Sequence, residues 1–271
     1  RCVETSRLRG VGVGDLRSAT DQHLNTPVTV FTAHPAITPS PQHLQSVLVQ
    51  VKAGAELEHP GLTQPLACAA VEGQVKIIFP PLSGQCLADR MLAGPPFTPM
   101  QGLQVLIAVG DALSVLHQAR THGDLRPELI WTEGTQATLI DTATGGLVSQ
   151  APDLPGGAYR ESYLYPPEIR RTRGSQVPTA QGDQYSLAAL GYRLLTGVEP
   201  IGRLKNISDV APRANDAIAR ALDPDPASRF ARCDQFTAEL KASLTAAVRA
   251  AAPSPAPPKP TKAEPPPIFH D

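Results

Sequence analysis

The sequence predicts an α+β chain: a β-rich N-terminal part with one helix, then a mostly helical part, then a proline-rich extended tail. Three observations predict it. The first eighty residues alternate small and β-branched side chains around polar turns. From about residue 81, apolar runs of helical period take over. After Ala252 eight of nineteen residues are proline, which excludes helix and central strand. The expected parts are therefore residues 1–80, 81–250 and 251–271.

Taken in order, LRGVGVGDLRSATD and PVTVFTA, with a polar turn at His23-Leu24-Asn25, predict a hairpin and a third strand. Gly10, Gly12 and Gly14 fall at the bend of that hairpin. Glycines there could let backbone N–H groups approach a phosphate, or could simply make a turn. Pro41 to Leu57 predicts a helix, with Ser40 as its N-cap and Leu44, Val47, Leu48 and Val51 on one face. Val75 to Phe79 reads as a short apolar strand.

Gln101 to Ala119 is apolar nearly all round and predicts a buried helix. HGDLRPELIW, His122 to Trp131, follows as a loop, and ATLIDTATG as a strand and turn. Asp183 to Thr196 predicts another apolar helix, stopped by Gly197 and Pro200. Ala211–Ala221 and Cys233–Ala250 supply two more.

Composition excludes little else. The chain has 271 residues, enough for a sizeable core, and a formal net charge of −1, which gives no electrostatic case for nucleic acid. Cys2, Cys68, Cys86 and Cys233 are scattered without metal-ligand spacing, as expected of thiols in a reducing compartment. No signal peptide and no apolar run of 18 residues stands out. The expectation is a domain on the cytoplasmic side of the membrane, part of a larger protein whose other segments make any membrane contact.

Seven motifs stand in order along the chain: HPGL at 59–62, LSGQCL at 82–87, HGDLRPELIW, LID at 139–141, YPPE at 165–168, DQYSLAALGYRLLTG at 183–197 and DPDPASRF at 223–230. Together, from about residue 8 to 248, they resemble a bacterial serine/threonine protein kinase domain of the eukaryotic type. The resemblance implies a two-lobed fold, a β-rich small lobe over a helical large lobe. It also implies three structural residues: Glu168 paired with Arg229, and Asp183 anchoring the backbone of the catalytic loop.

At the chemical positions the chain departs from that pattern. A kinase catalytic loop reads H-R-D-L-x-x-x-x-N, where the Asp accepts the substrate hydroxyl's proton and the Asn holds a metal ion. Here His122 and Asp124 are kept, Gly123 replaces the Arg and Leu129 the Asn, and Arg126 stands where such kinases carry a phosphate-contacting Lys. Phe31 occupies the place of the strand-3 Lys, and Gln50 that of the Glu which orients it. D-F-G reads Asp141-Thr142-Ala143, keeping only the metal-binding Asp. Arg17 is the nearest substitute cation, but strand alternation turns it away from the nucleotide side, which Leu16 faces.

The resemblance thus implies a degenerate member, a pseudokinase. The expectation is no enzyme activity, no cofactor, with ATP and magnesium bound weakly or not at all, and a scaffold function. The runner-up is a low-activity atypical kinase, or a nucleotide-binding sensor.

Thr261, exposed in PPKPTKAEPPP, is the expected phosphoacceptor for an active serine/threonine kinase. Glu264 lies three residues on, where forkhead-associated phosphothreonine readers sense their ligand. Ile268 and Phe269 offer further apolar anchors. The abundant Ala, Pro and Arg, with the degenerate motifs and this tail, resemble the cytoplasmic kinase-like domain of actinobacterial MviN-type proteins, lipid II flippases of peptidoglycan synthesis.

Overall fold

The structure is a computed structural model that describes residues 2–11, 13–37, 40–93, 97–145, 163–171, 177–207 and 212–251. The small lobe is an antiparallel five-stranded sheet in the order β1-β2-β3-β5-β4. Its strands are β1 (Cys2–Gly10), β2 (Gly14–Asp21), β3 (Thr26–Ala33), β4 (Ala67–Val71) and β5 (Gln74–Phe79). The register sets Leu16 opposite Phe31 and Phe31 opposite Ile77. Helix α1 (Pro41–Gly54) crosses from β3 to β4 and packs on β4 and β5. Ser40 caps it by accepting from the His43 N–H at 3.4 Å, where a serine before a proline-led apolar run should.

The large lobe begins with β6 (Gln85–Cys86) and a short α2 (Leu87–Leu92). Helix α3 (Pro99–Leu116) follows, opened by a capping box between Thr98 and Gln101. A 3-10 turn at Pro127–Leu129 leads into β7 (Ile130–Glu133) and β8 (Gln136–Leu139), which form an antiparallel sheet with β6. The remaining described helices are α4 (Pro167–Arg171), α5 (Ala180–Thr196), α6 (Pro212–Ala221) and α7 (Cys233–Ala251). Gly197 ends α5 in the left-handed conformation, φ 73°.

Two apolar cores result. The larger joins Leu103, Leu106 and Leu113 of α3 with Leu187 and Leu190 of α5 and with Phe236 and Leu240 of α7, all buried. Here α3 and α7 approach closely, because a Cβ on Gly110 would lie 2.2 Å from Cγ2 of Thr237. The second core is not confined to one lobe. It gathers Val11, Val13, Leu16, Phe31, Val47, Val51, Ile77 and Phe79 of the small lobe with Leu129, Ile140 and Ala143 of the large one. Among the described residues one helix, α3, is long and apolar enough to cross a bilayer, and it packs against α5 and α7 in the first core.

The structure differs from the sequence reading in three places. Strand β1 starts at Cys2, well before the Leu8 where the alternation is visible, because Val3 to Leu8 are exposed on both faces and carry no apolar alternation. Strand β4, ACAAV, carries no β-branched run and reads as nothing; pairing with β5 makes it a strand. The end of HGDLRPELIW, Ile130 and Trp131, is strand and not loop, its register set by Leu139 and Thr138.

Candidate functional site: the loop at His122 to Leu129

Asp183, in the first turn of α5, organises this loop. Its carboxylate accepts the backbone N–H groups of His122 and Gly123, each at 2.7 Å, and lies 2.9 Å from Nε2 of His117. Gly123 takes φ 73°, and a Cβ there would meet Pro178 and Gly145 at 2.9 and 3.0 Å. The glycine in place of arginine therefore fits both the left-handed turn and the crowding around it. The His122 ring is buried, with Nε2 3.2 Å from the Ile140 carbonyl.

Asp124 follows, 3% exposed. Its Oδ1 accepts from Arg126 Nε at 3.0 Å, from a second Arg126 nitrogen, and from the Tyr165 hydroxyl at 2.6 Å. Tyr165 also accepts from Arg126 at 2.9 Å. This fixes the carboxylate's rotamer. The other oxygen, Oδ2, is buried and has no hydrogen-bond partner among the described residues. A buried lone pair left open is costly unless something visits it. Position and chemistry suit a donor hydroxyl.

Above the loop, apolar side chains of the two lobes meet. Phe31 and Leu129 are fully buried, as is Leu16, and all three belong to the one core that crosses the lobes. The Phe31 ring lies against Gly14, whose Cβ, if present, would sit 2.7 Å from Cε2. Gly14 thus serves close packing, and Gly12 lies outside the described residues. Gln50, on α1, donates to Ser46 at 3.3 Å and not toward Phe31. Arg17 faces Glu4 on the opposite side of the sheet, 3.5 Å away. Arg9 closes the front edge through an ion pair with Asp89 of α2. Partial burial works against its charge, but the bond to Asp89 and the nearby Cys86 and Glu128 outweigh that and hold its proton more tightly than usual.

Asp141 does not face this space as an open ligand. Its carboxylate pairs with the Arg120 guanidinium through two contacts, one of 2.8 Å, and accepts the Ala143 N–H at 3.0 Å. Thr142 turns to Thr144, oxygen to oxygen 2.7 Å. Of the residues that would hold a nucleotide with paired magnesium ions, which a kinase resemblance implies, the Asp141 carboxylate is kept. The cation's place holds a phenyl ring packed in a core, one metal ligand is aliphatic, and the other is neutralised by an arginine.

Away from the cleft, Arg229 and Glu168 form a bidentate pair at 2.8 and 2.9 Å, and Arg229 also donates to the carbonyls of Gln181 and Asp223. It ties α4 to the turn before α7.

Superposition on solved structures decides the fold. The kinase domain of Mycobacterium tuberculosis PknI matches with a TM-score of 0.68, covering 89% of this chain and 95% of that one at 22% identity. This is a protein kinase fold. No family profile matches the chain. Curated relatives are bacterial serine/threonine-protein kinases. PknE of Mycobacterium bovis is 24% identical over 260 residues, and PknB of Mycolicibacterium smegmatis 24% over 264. PknA of Mycobacterium tuberculosis is 24% identical over 278 residues. These alignments cover 87%, 86% and 94% of this chain but 45%, 40% and 62% of the relatives. The chain therefore spans less than half the length of the first two.

These relatives correct one expectation. The substitutions at Phe31 and Leu129 predict a chain that is not an enzyme, yet the proteins similar to it over most of its length carry the names of enzymes. That expectation takes Asp124 as a remnant; the structure holds it by Arg126 and Tyr165. Tyr165 and Arg120, which complete the settings of Asp124 and Asp141, escape sequence reasoning. YPPE flags Tyr165 only as part of a structural motif, and nothing flags Arg120. Thr261 and the tail lie outside the described residues.

Proposed function

We propose that the chain is the kinase-fold domain of a serine/threonine signalling protein, with slow, atypical phosphoryl transfer and a second role as a phosphorylation-dependent adaptor. One observation carries the first part: Asp124, pinned through Oδ1, keeps an Oδ2 with no hydrogen-bond partner among the described residues. In this reading Oδ2 accepts the proton of a substrate Ser or Thr. Arg126 and Tyr165 hold the carboxylate's orientation, and Asp183 holds the loop. Each missing donor-side charge lowers the rate by on the order of 10²–10³, so turnover is slow.

The test is a long time course of phosphate transfer from ATP to Ser- and Thr-containing peptides. Asp124→Asn should lower the rate by on the order of 10²–10⁴, as loss of a general base does. An equal rate in the variant overturns the reading.

The adaptor role is supported by the tail's sequence. An active serine/threonine kinase phosphorylates Thr261, and a forkhead-associated domain protein binds the product, with Glu264 three residues beyond. Phosphate there adds nearly two negative charges and strong acceptors to a proline-rich sequence. The same composition supports a parent of the MviN type and a place in the control of peptidoglycan synthesis. Capture of a forkhead-associated domain by phosphorylated protein, and its loss in Thr261→Ala, is expected. Equal capture by both would sink the adaptor role.

A further inference from the structure

The small-lobe sheet carries a set of charged side chains on the face opposite its core. The register places Asp15 and Lys76 on either side of Thr32, and partners across strands point to one face. Arg17, two residues beyond Asp15 on β2, points the same way. Leu16, Phe31 and Ile77, one residue off, point into the core. With Glu4 and Arg7 of β1 these side chains line a cavity of about 720 Å³, a volume in the range of small-molecule sites. Three cations there share two carboxylates. Arg7 takes Asp15 through two contacts. Glu4 is left to both Lys76, at 2.7 Å, and Arg17, at 3.5 Å. The wall therefore carries one positive charge in excess, and Arg17 is its loosely held member. The Thr32 hydroxyl, on the same cavity, is buried and has no hydrogen-bond partner among the described residues. Such a group costs free energy until a partner meets it.

We propose that this cavity binds the phosphate group of a small phosphate monoester. Lys76 and Arg17 supply the charge, and Thr32 a hydroxyl that donates. The Glu4 carboxylate is the competitor: it meets both cations with two oxygens and one charge, and leaves Thr32 unmet. A phosphate group brings nearly two charges and three strong acceptor oxygens. It can therefore meet Lys76, Arg17 and Thr32 together, and it displaces Glu4. Two of these bonds are charge-assisted, and the third ends the isolation of a buried hydroxyl. Arg7 stays with Asp15, its guanidinium lying over Gly10, where a Cβ would stand 2.5 Å from its terminal nitrogen. The site faces away from Phe31 and the core, and depends neither on phosphoryl transfer at Asp124 nor on the tail.

Isothermal titration calorimetry of the full chain with inorganic phosphate and with glycerol 3-phosphate tests this. Glu4→Gln, which removes the competing charge and keeps the side chain's shape, should bind both about tenfold more tightly than the native chain. Lys76→Met and Arg17→Met should each bind about tenfold more weakly, as loss of one charge-assisted bond does. Thr32→Val should weaken binding by less. All four side chains are half-buried or exposed, so these variants should fold. Amide NMR shifts of the native chain give a second reading: Arg17, Thr32 and Lys76 should move with added glycerol 3-phosphate. A Glu4→Gln variant that binds no more tightly than the native chain, or a Lys76→Met variant that binds equally well, overturns the proposal. So do shifts confined to the loop at His122 to Leu129, which would put the phosphate in the cleft. A phosphothreonine peptide of sequence PPKPTKAEPPP that binds more tightly than glycerol 3-phosphate would assign the group to a protein and overturn the small-molecule ligand. Phosphate transfer to peptides is measured separately, so its failure sinks the phosphotransfer reading alone.

Discussion

A Cβ placed on Gly14 would lie 2.7 Å from Cε2 of Phe31 and 2.2 Å from the Thr32 carbonyl oxygen. The glycine at the end of the hairpin bend and the aromatic ring in the strand-3 lysine position therefore form one packing unit. Gly14→Ala should lower stability by about 1–3 kcal/mol, the usual cost of overpacking. Phe31→Ala should lower it by about 3–5 kcal/mol, because the ring is fully buried in the core that spans the lobes. Urea unfolding of the two variants checks both values.

Arg229 has a fully buried side chain held by Glu168 and two carbonyls. Removing it takes the cation from the Glu168 carboxylate, itself largely buried. Arg229→Ala should cost about 3–5 kcal/mol, read as a lower unfolding midpoint with the folded spectrum retained at low temperature. A loss under about 1 kcal/mol would match an exposed pair instead.

The four thiols should divide by burial. Burial, reinforced by the charge of Asp183, pushes the Cys233 thiol up to about 12, and burial also raises Cys86. Cys2 and Cys68 are partly exposed. Alkylation near pH 8 followed by mass spectrometry should label Cys2 and Cys68 and spare the other two, because the thiolate is the reactive form. The sign for stability follows. Above the ordinary thiol value of 9.0 the unfolded chain releases the Cys233 proton while the fold retains it. The folded state therefore loses stability as pH rises from about 9 toward 12, and Cys233→Ala should flatten that slope in melts taken across the range.

What the sequence makes legible is local or carried by motifs. The helical faces of α1, α3 and α5 are readable from apolar spacing, and the Ser40 cap and the Gly197 stop from single residues. Asp183 and the Glu168–Arg229 pair are reachable because their motifs stand in order. Arg120 and Tyr165 are not, although they decide what Asp141 and Asp124 can do. They reach their partners across 21 and 41 residues of chain, respectively, and neither periodicity nor composition encodes such a meeting. For the same reason nothing in the sequence flags Arg9, which the fold uses to bind α2 through Asp89. The substitution of Leu129 is visible at once, but its burial in a core shared with Phe31 is visible only in three dimensions.

Apolar packing by Leu16, Phe31 and Leu129 stands on the donor side of the cleft in this protein kinase fold. Thermal-shift titration of the native chain with ATP, with and without magnesium or manganese, tests it most directly. A ligand that binds the folded state raises the melting temperature in proportion to the logarithm of its excess over Kd. With Phe31 and Leu129 in that packing and Asp141 paired with Arg120, the expected result is no metal-dependent rise at millimolar ATP. A clear rise that requires both nucleotide and metal would contradict it.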